Sequence, residues 1–191
     1  FFSSRRRHTR FRNVTGVQTC ALPILGDDII VCNSFSKTFS MTGWRLGWLV
    51  VPEPMVPVFE KLAQNLFICP SALAQHAALA CFEPDSLAVF EAQRESFRAR
   101  RDYIVPALRG AGLKVPVTPD GAFYVWIDCS DVASDSMAFA ERLLEEAWVS
   151  IVPGHDFGAH HANRYLRLSY ATARPLLEEA VDRIARLIIA G

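Results

Sequence analysis

Apolar and polar positions alternate with two different periods along residues 26–191, and the switches between them mark out elements. An apolar run from Asp28 to Asn33 reads as a buried strand, and a second, from Trp44 to Val51, reads as another, closed by Pro52 and Pro54. Residues 34–43 between them form a hydroxyl-rich loop. The spacing of Val58, Leu62, Asn65 and Leu66 predicts a helix over Met55 to Phe67. Ser71, following Pro70, is placed to cap a second helix with Leu73, Ala77, Ala80 and Cys81 on its apolar side. The longest helical pattern runs from Asp85 to Arg109, with Leu87, Phe90, Arg94, Phe97, Arg101, Ile104 and Leu108 along one stripe. Gly110-Ala111-Gly112 ends it in the usual way.

Beyond that helix, Leu113 to Val117, Ala122 to Asp128, Val149 to Val152 and Tyr165 to Tyr170 read as strands, with a turn at Pro119-Asp120-Gly121. Ser136 to Trp148 reads as a helix capped by Asp135 or Ser136. Arg174 to Ile189 reads as a closing amphipathic helix with Leu176, Leu177, Ala180, Ile184 and Leu187 inward. The early elements resemble the end of an α/β sheet domain, and the later order of strands and helices a smaller α+β domain. The long helix would bridge the two.

Residues 1–25 break this regularity. They hold five arginines (Arg5, Arg6, Arg7, Arg10 and Arg12), no acid and no sustained period. No apolar stretch follows the cluster, which argues against a secretion signal. Asn13-Val14-Thr15 matches a glycosylation triplet, expected to be unused in a cytoplasmic protein. Val14 to Ile24 resembles the conceptual translation of a sequencing-library adapter, so residues 1–25 are expected to be a non-native or unstructured segment.

The formal net charge of the whole chain is zero. Without the arginine cluster the rest is acidic, which gives no support for nucleic-acid binding. No stretch reaches the ~18–20 apolar residues of a membrane span. The five cysteines, Cys20, Cys32, Cys69, Cys81 and Cys129, are widely spaced with no Cys-x-x-Cys pair. They read as free thiols in a reducing cytoplasm, without a zinc or redox motif. His155, His160 and His161 lie on a segment that reads as a flexible loop with a single nearby acid, so no metal is expected.

Lys37 is one of only three lysines, with Lys61 and Lys114. An amine held between two buried strands would be poorly hydrated, which favours its uncharged, nucleophilic form and imine chemistry with carbonyls. Eight residues on, Arg45 offers a planar fork of donors suited to a phosphate, and Ser34 and Ser36 add hydroxyls. These groups together suit pyridoxal phosphate.

Ser34-Phe35-Ser36-Lys37, followed by Met41-Thr42-Gly43-Trp44-Arg45-Leu46-Gly47, resembles the cofactor-lysine segment of class I/II aminotransferases. The resemblance covers residues 26–191 and corresponds to roughly the C-terminal half of a full-length member. It implies an α/β fold: the C-terminal part of a large mixed-sheet cofactor domain (26–92), then a small α+β domain (93–191), joined by the long helix. It implies pyridoxal phosphate bound to Lys37 through a Schiff base, with Ser34, Ser36 and Arg45 on its phosphate. In Tyr165-Leu166-Arg167-Leu168-Ser169, a strand would place Tyr165, Arg167 and Ser169 on one face. The resemblance makes Arg167 the anchor for the substrate carboxylate. Gly121 to Trp126 and Pro153-Gly154-His155-Asp156-Phe157-Gly158 are similar to segments that line the family's active site.

The implied activity is transfer of an amino group between an α-amino acid and a 2-oxo acid, in a cytoplasmic enzyme whose full-length parent is a homodimer. A carbon–sulfur lyase or cyclopropane-forming synthase shares the lysine segment, and a non-catalytic regulatory module carries the same fold. One departure stands out. The acid that the family sets against the pyridine nitrogen would fall in the arginine-rich opening, where there is none. The upstream aromatic and glycine-rich contacts are also missing. The chain is therefore expected to be a fragment with little or no activity by itself.

Overall fold

A computed structural model describes residues 29–190; the arginine-rich opening, Cys20 and the expected residues 1–25 segment lie outside the described residues. The chain divides into two compact units, the first ending at Phe90 and the second starting at Glu91.

In the first unit, β1 (Val31–Ser34) pairs antiparallel with β2 (Gly47–Val50), Ser34 lying opposite Gly47. Both strands are shorter than the sequence predicts. Trp44, expected in the second strand, instead ends a 3-10 turn (Thr42–Trp44), and Arg45 takes the left-handed conformation at φ 52°. Neither strand is buried along its length. A two-stranded ladder has few neighbours to cover it, and here the cover is a small cluster of Phe35, Phe39, Met41, Ala78 and Cys81, with Leu46, Trp48 and Phe90 at its edge. The Phe35 ring lies 4.9 Å from that of Phe39 and 5.0 Å from that of Trp48. Gly47 is needed at its position: a Cβ there would lie 2.5 Å from the Asn33 carbonyl oxygen.

Helix α1 (Val56–Leu66) follows its predicted span, yet no residue in it is buried and Leu66 is 75% exposed. Its apolar stripe finds no cover among the described residues. Helix α2 (Ala72–Ala80) is capped as expected, the Ser71 hydroxyl accepting from the Ala74 N–H at 3.4 Å. Its buried side is Ala74 and Ala78, continued by Cys81, and not Leu73 or Ala80. The small alanines let the helix lie close to the phenylalanine cluster, which turns Leu73 outward.

Helix α3 (Pro84–Gly110) begins in the first unit and continues into the second. Its far end buries Ile104, Val105 and Leu108. Gly112, at φ 92°, closes it: the Gly112 N–H donates to the Arg109 carbonyl and the Leu113 N–H to the Leu108 carbonyl, both at 3.1 Å.

The second unit is built on an antiparallel sheet in the order β3 (Tyr124–Asp128), β5 (Tyr165–Ser169), β4 (Val152–Pro153). Residues 113–117, expected as a strand, make only an isolated bridge from Lys114 to Asp128. The strand expected at residues 149–152 begins only at Val152. Side chains alternate across the sheet. Val125, Ile127, Leu166 and Leu168 enter the core, where they meet Phe139 and Leu143 of α4 (Ser136–Ala147) and Leu177, Val181, Ile184 and Leu187 of α5 (Arg174–Ala190). Leu176, expected inward, is 54% exposed; Val181 takes the inner place because the buried stripe runs through residues 177, 181, 184 and 187. Asp135 caps α4, its carboxylate accepting from the Met137 N–H at 2.7 Å. No helix among the described residues is long and apolar enough to cross a membrane.

One ion pair, between a buried carboxylate and an exposed arginine, fixes the start of β5. Asp128, only 2% exposed, accepts from Arg164 Nε at 2.8 Å and Nη2 at 2.5 Å. Arg164 and the Ser130 N–H hold the Asp128 carboxyl well below the usual carboxylate range. A carboxyl more acidic in the fold than in the unfolded chain contributes fully above its unfolded value, ~3.9. The contribution is lost as pH falls below that value and through the folded one. Asp128→Asn is expected to lower unfolding stability by about 1–3 kcal/mol at neutral pH. It should also flatten the loss of stability on acidification, both read from urea unfolding between neutral and strongly acid pH.

Candidate functional site

The residues singled out by sequence fall in two places, Ser34, Ser36, Lys37 and Arg45 in the first unit and Arg167 in the second. In the first, a turn closes with the Ser40 N–H donating to the Lys37 carbonyl at 3.0 Å, and Phe35 and Phe39 on either side are buried in the aromatic cluster. The odd-numbered aromatics anchor the loop, so the residues between them face out. Lys37 is exposed, not held between buried strands as the sequence suggested. The flanking strands are half exposed and cannot dehydrate it.

The hydroxyls knit this loop together. The Ser36 N–H donates to Ser34 Oγ at 3.0 Å, Thr42 Oγ1 donates to the Ser36 carbonyl at 2.7 Å, and Arg45 Nη1 donates to the Thr42 carbonyl at 2.9 Å. Thr42 thus links the serines to the arginine. Sequence reasoning quoted it as part of the segment but gave it no role; its hydroxyl within a serine-rich turn was the available signal. Arg45 keeps donors beyond the one on Thr42, because a guanidinium carries five N–H groups. The set on this loop is an amine, hydroxyls and a guanidinium with spare donors. That chemistry fits a phosphorylated aldehyde such as pyridoxal phosphate.

In the second unit, Arg167 lies on the outward face of β5, as the strand alternation requires, opposite Trp126 on one side and Val152 on the other. Its guanidinium carbon is 4.2 Å from the ring centroids of both Tyr124 and Phe157. The Trp126 ring stands edge-on to Phe157 at 5.2 Å and stacks on Tyr165 at 5.8 Å. Arg167 Nε is buried and has no hydrogen-bond partner. Phe157, which carried no role in the sequence reading, arrives through the turn Gly154–Phe157.

Two glycines explain that turn. A Cβ on Gly154 would lie 2.4 Å from the Ala162 carbonyl oxygen and 2.9 Å from that of Tyr165. The Ala162 carbonyl is itself fixed by the buried Ser136 hydroxyl, which donates to it at 2.8 Å. Gly158, at φ 142° and ψ −178°, ends the turn in a conformation that only glycine adopts readily. His160 and His161 pack ring to ring at 4.1 Å, and no metal-holding cluster occurs among the described residues.

A shallow cleft of about 500 Å³ lies elsewhere in the second unit, lined by Arg109, Lys114, Asp128, Arg164 and Tyr165 among others. Its cations are engaged: Arg164 by Asp128, Lys114 by Asp131, and Arg109 by the Val115 carbonyl at 2.8 Å.

The family model for aminotransferase class I and II matches residues 14–184, a span that begins inside the opening segment set apart by its composition. The chain is 41% identical over 155 residues to a valine–pyruvate aminotransferase of Mycobacterium tuberculosis, covering 81% of this chain and 40% of that protein. It is 40% identical over 161 residues to an aspartate/prephenate aminotransferase of Thermus thermophilus, covering 83% of this chain and 40% of the relative. Among solved structures, an aminotransferase from M. tuberculosis matches with a TM-score of 0.82 at 40% identity, over 85% of this chain and 42% of that one. An aromatic aminotransferase from Pyrococcus horikoshii matches with a TM-score of 0.81 at 34% identity, over 98% and 48%. The chain thus spans about two fifths of the length of these curated relatives. The family's enzymes use pyridoxal phosphate.

Replacing Gly154 with alanine should force backbone apart, since both opposing atoms are carbonyl oxygens. The expected cost is about 1–3 kcal/mol of unfolding stability, measured by urea denaturation. Gly43→Ala, at a glycine with nothing within 4 Å of a built Cβ, should cost less.

Proposed function

Because the chain belongs to the aminotransferase class I and II family, we propose that it carries the cofactor-lysine loop and the carboxylate-binding strand of a pyridoxal-phosphate transaminase. The reaction would move an amino group between an α-amino acid and a 2-oxo acid. The observation that carries this reading is the single hydrogen-bonded loop that presents Ser34, Ser36, Lys37 and Arg45 together.

In this reading Arg45 and the two serines bind the cofactor phosphate through charge-assisted and hydroxyl hydrogen bonds. Lys37 Nζ would be the group that holds the cofactor at its aldehyde. As a free amine, Lys37 would serve as the base that takes a proton from the substrate α-carbon. Bound pyridoxal phosphate supplies the electron sink for the charge that develops at that carbon. Arg167 binds the substrate carboxylate through parallel N–H···O bonds and so orients the bond to be broken. The relatives are named for different donors, valine and aspartate among them, and the general reaction is proposed without a choice of donor. The setting assumed is a homodimeric cytoplasmic enzyme, and the 191-residue chain alone is expected to turn over slowly or not at all.

Incubation of the intact protein with pyridoxal phosphate, reduction with borohydride and tryptic mapping should place the pyridoxyl group on Lys37. Lys37→Ala should abolish both the label and turnover. A label confined to Lys61 or Lys114 would refute the assignment.

A further inference from the structure

Arg164, in the turn just before β5, and Arg167, within that central strand, stand three residues apart, yet their surroundings differ. Arg164 is matched by a buried carboxylate. Arg167 is flanked by two aromatic rings and keeps a buried, unpartnered Nε. A buried donor left without an acceptor costs free energy, so this arrangement calls for one. The rings decide where it can come from. With Tyr124 and Phe157 each 4.2 Å from the guanidinium carbon, aromatic contacts take up space around the cation that an acceptor would otherwise use. The N–H donors point outward in the guanidinium plane, along its edge.

Ordinary core packing does not account for Phe157. Its side chain is 46% exposed, and the ring contacts that place it are those to Arg167 and Trp126. Two glycine-dependent features hold the turn that delivers it: the close approach at Gly154 and the conformation of Gly158. Tyr124 reaches Arg167 from the neighbouring strand, two residues before Trp126 and on the same face.

We infer that Phe157 and Tyr124 are positioning residues, which fix the plane of the Arg167 guanidinium so that a substrate carboxylate is met edge-on by preset donors. This rests on the reading of Arg167 as the carboxylate anchor. The rings touch no reacting atom in this role; they reduce the ordering that the arginine must undergo when the anion binds.

The test is calorimetric titration of the intact, cofactor-loaded protein with unreactive acids of differing side chain, namely butanoate, 4-phenylbutanoate and glutarate. Phe157→Leu keeps apolar bulk but removes the ring, and should weaken every acid bound by the wild type by about tenfold, with Tyr124→Leu acting in the same direction. Phe157→Tyr should stay within about twofold of wild type. In turnover, the leucine variants should raise KM for both amino acid and oxo acid, with kcat changing less. Circular dichroism establishes that each variant is folded, and Tyr124→Leu serves if Phe157→Leu is not. Wild-type affinity in the folded leucine variants, together with loss of binding in Arg167→Ala, overturns the positioning role alone. Unchanged affinity in Arg167→Ala, or no binding of any acid by wild type, overturns the carboxylate reading and the inference built on it.

Discussion

The pairing of β5 with its neighbours is the constraint on which the second unit depends. Leu166 and Leu168 must enter the core, so Arg167 must face the other way. A slip of one residue would drive a guanidinium into the apolar interior and expose two leucines. Asp128 and Arg164 guard against that slip by pinning the first end of the strand with a charge-assisted contact to a buried carboxylate. The tyrosine at the other end is bound as well, its N–H donating to the Phe123 carbonyl at 2.9 Å. Register, in other words, is what gives the arginine its place on the sheet face opposite the core.

The same strand is backed by an unusually close passage of backbone. Gly154 lies against the carbonyls of Ala162 and Tyr165, and the Ser136 hydroxyl holds the first of these from the helix side. Helix start, loop and strand start are thus tied at one carbonyl. From this fixed point the short turn delivers Phe157 onto Arg167. An aromatic ring half open to water is held by local backbone geometry, where a core ring would be held by burial.

The first unit works by different means. Its ladder is short and its aromatic cluster small, so hydrophobic burial alone would leave the loop loosely specified. Side-chain-to-backbone hydrogen bonds supply the specification, running from Ser34 through Ser36 and Thr42 to Arg45. The left-handed conformation of Arg45 then turns its side chain back over the same loop, and Gly47 lets β2 approach β1 without a clash.

Much of this was legible in the order of residues. The Ser71 and Asp135 caps, the glycine stop of the long helix and the two-residue alternation around Arg167 all involve near neighbours. Such features follow from local sterics and hydrogen bonding, which a sequence states directly. The dense segment around Lys37 likewise announced its family. Other features needed the fold. Asp128 and Arg164 are brought together across strands, Phe157 meets Arg167 through a turn, and Val181 displaces Leu176 from the core. The exposure of Lys37 also ran against the expectation from two apolar flanks, because an apolar run says that a strand can be buried, not that anything covers it. Sequence by itself determined which local conformations the chain prefers and which side chains share a face; tertiary structure alone decided what each face meets, because that depends on register and on distant residues closing over it.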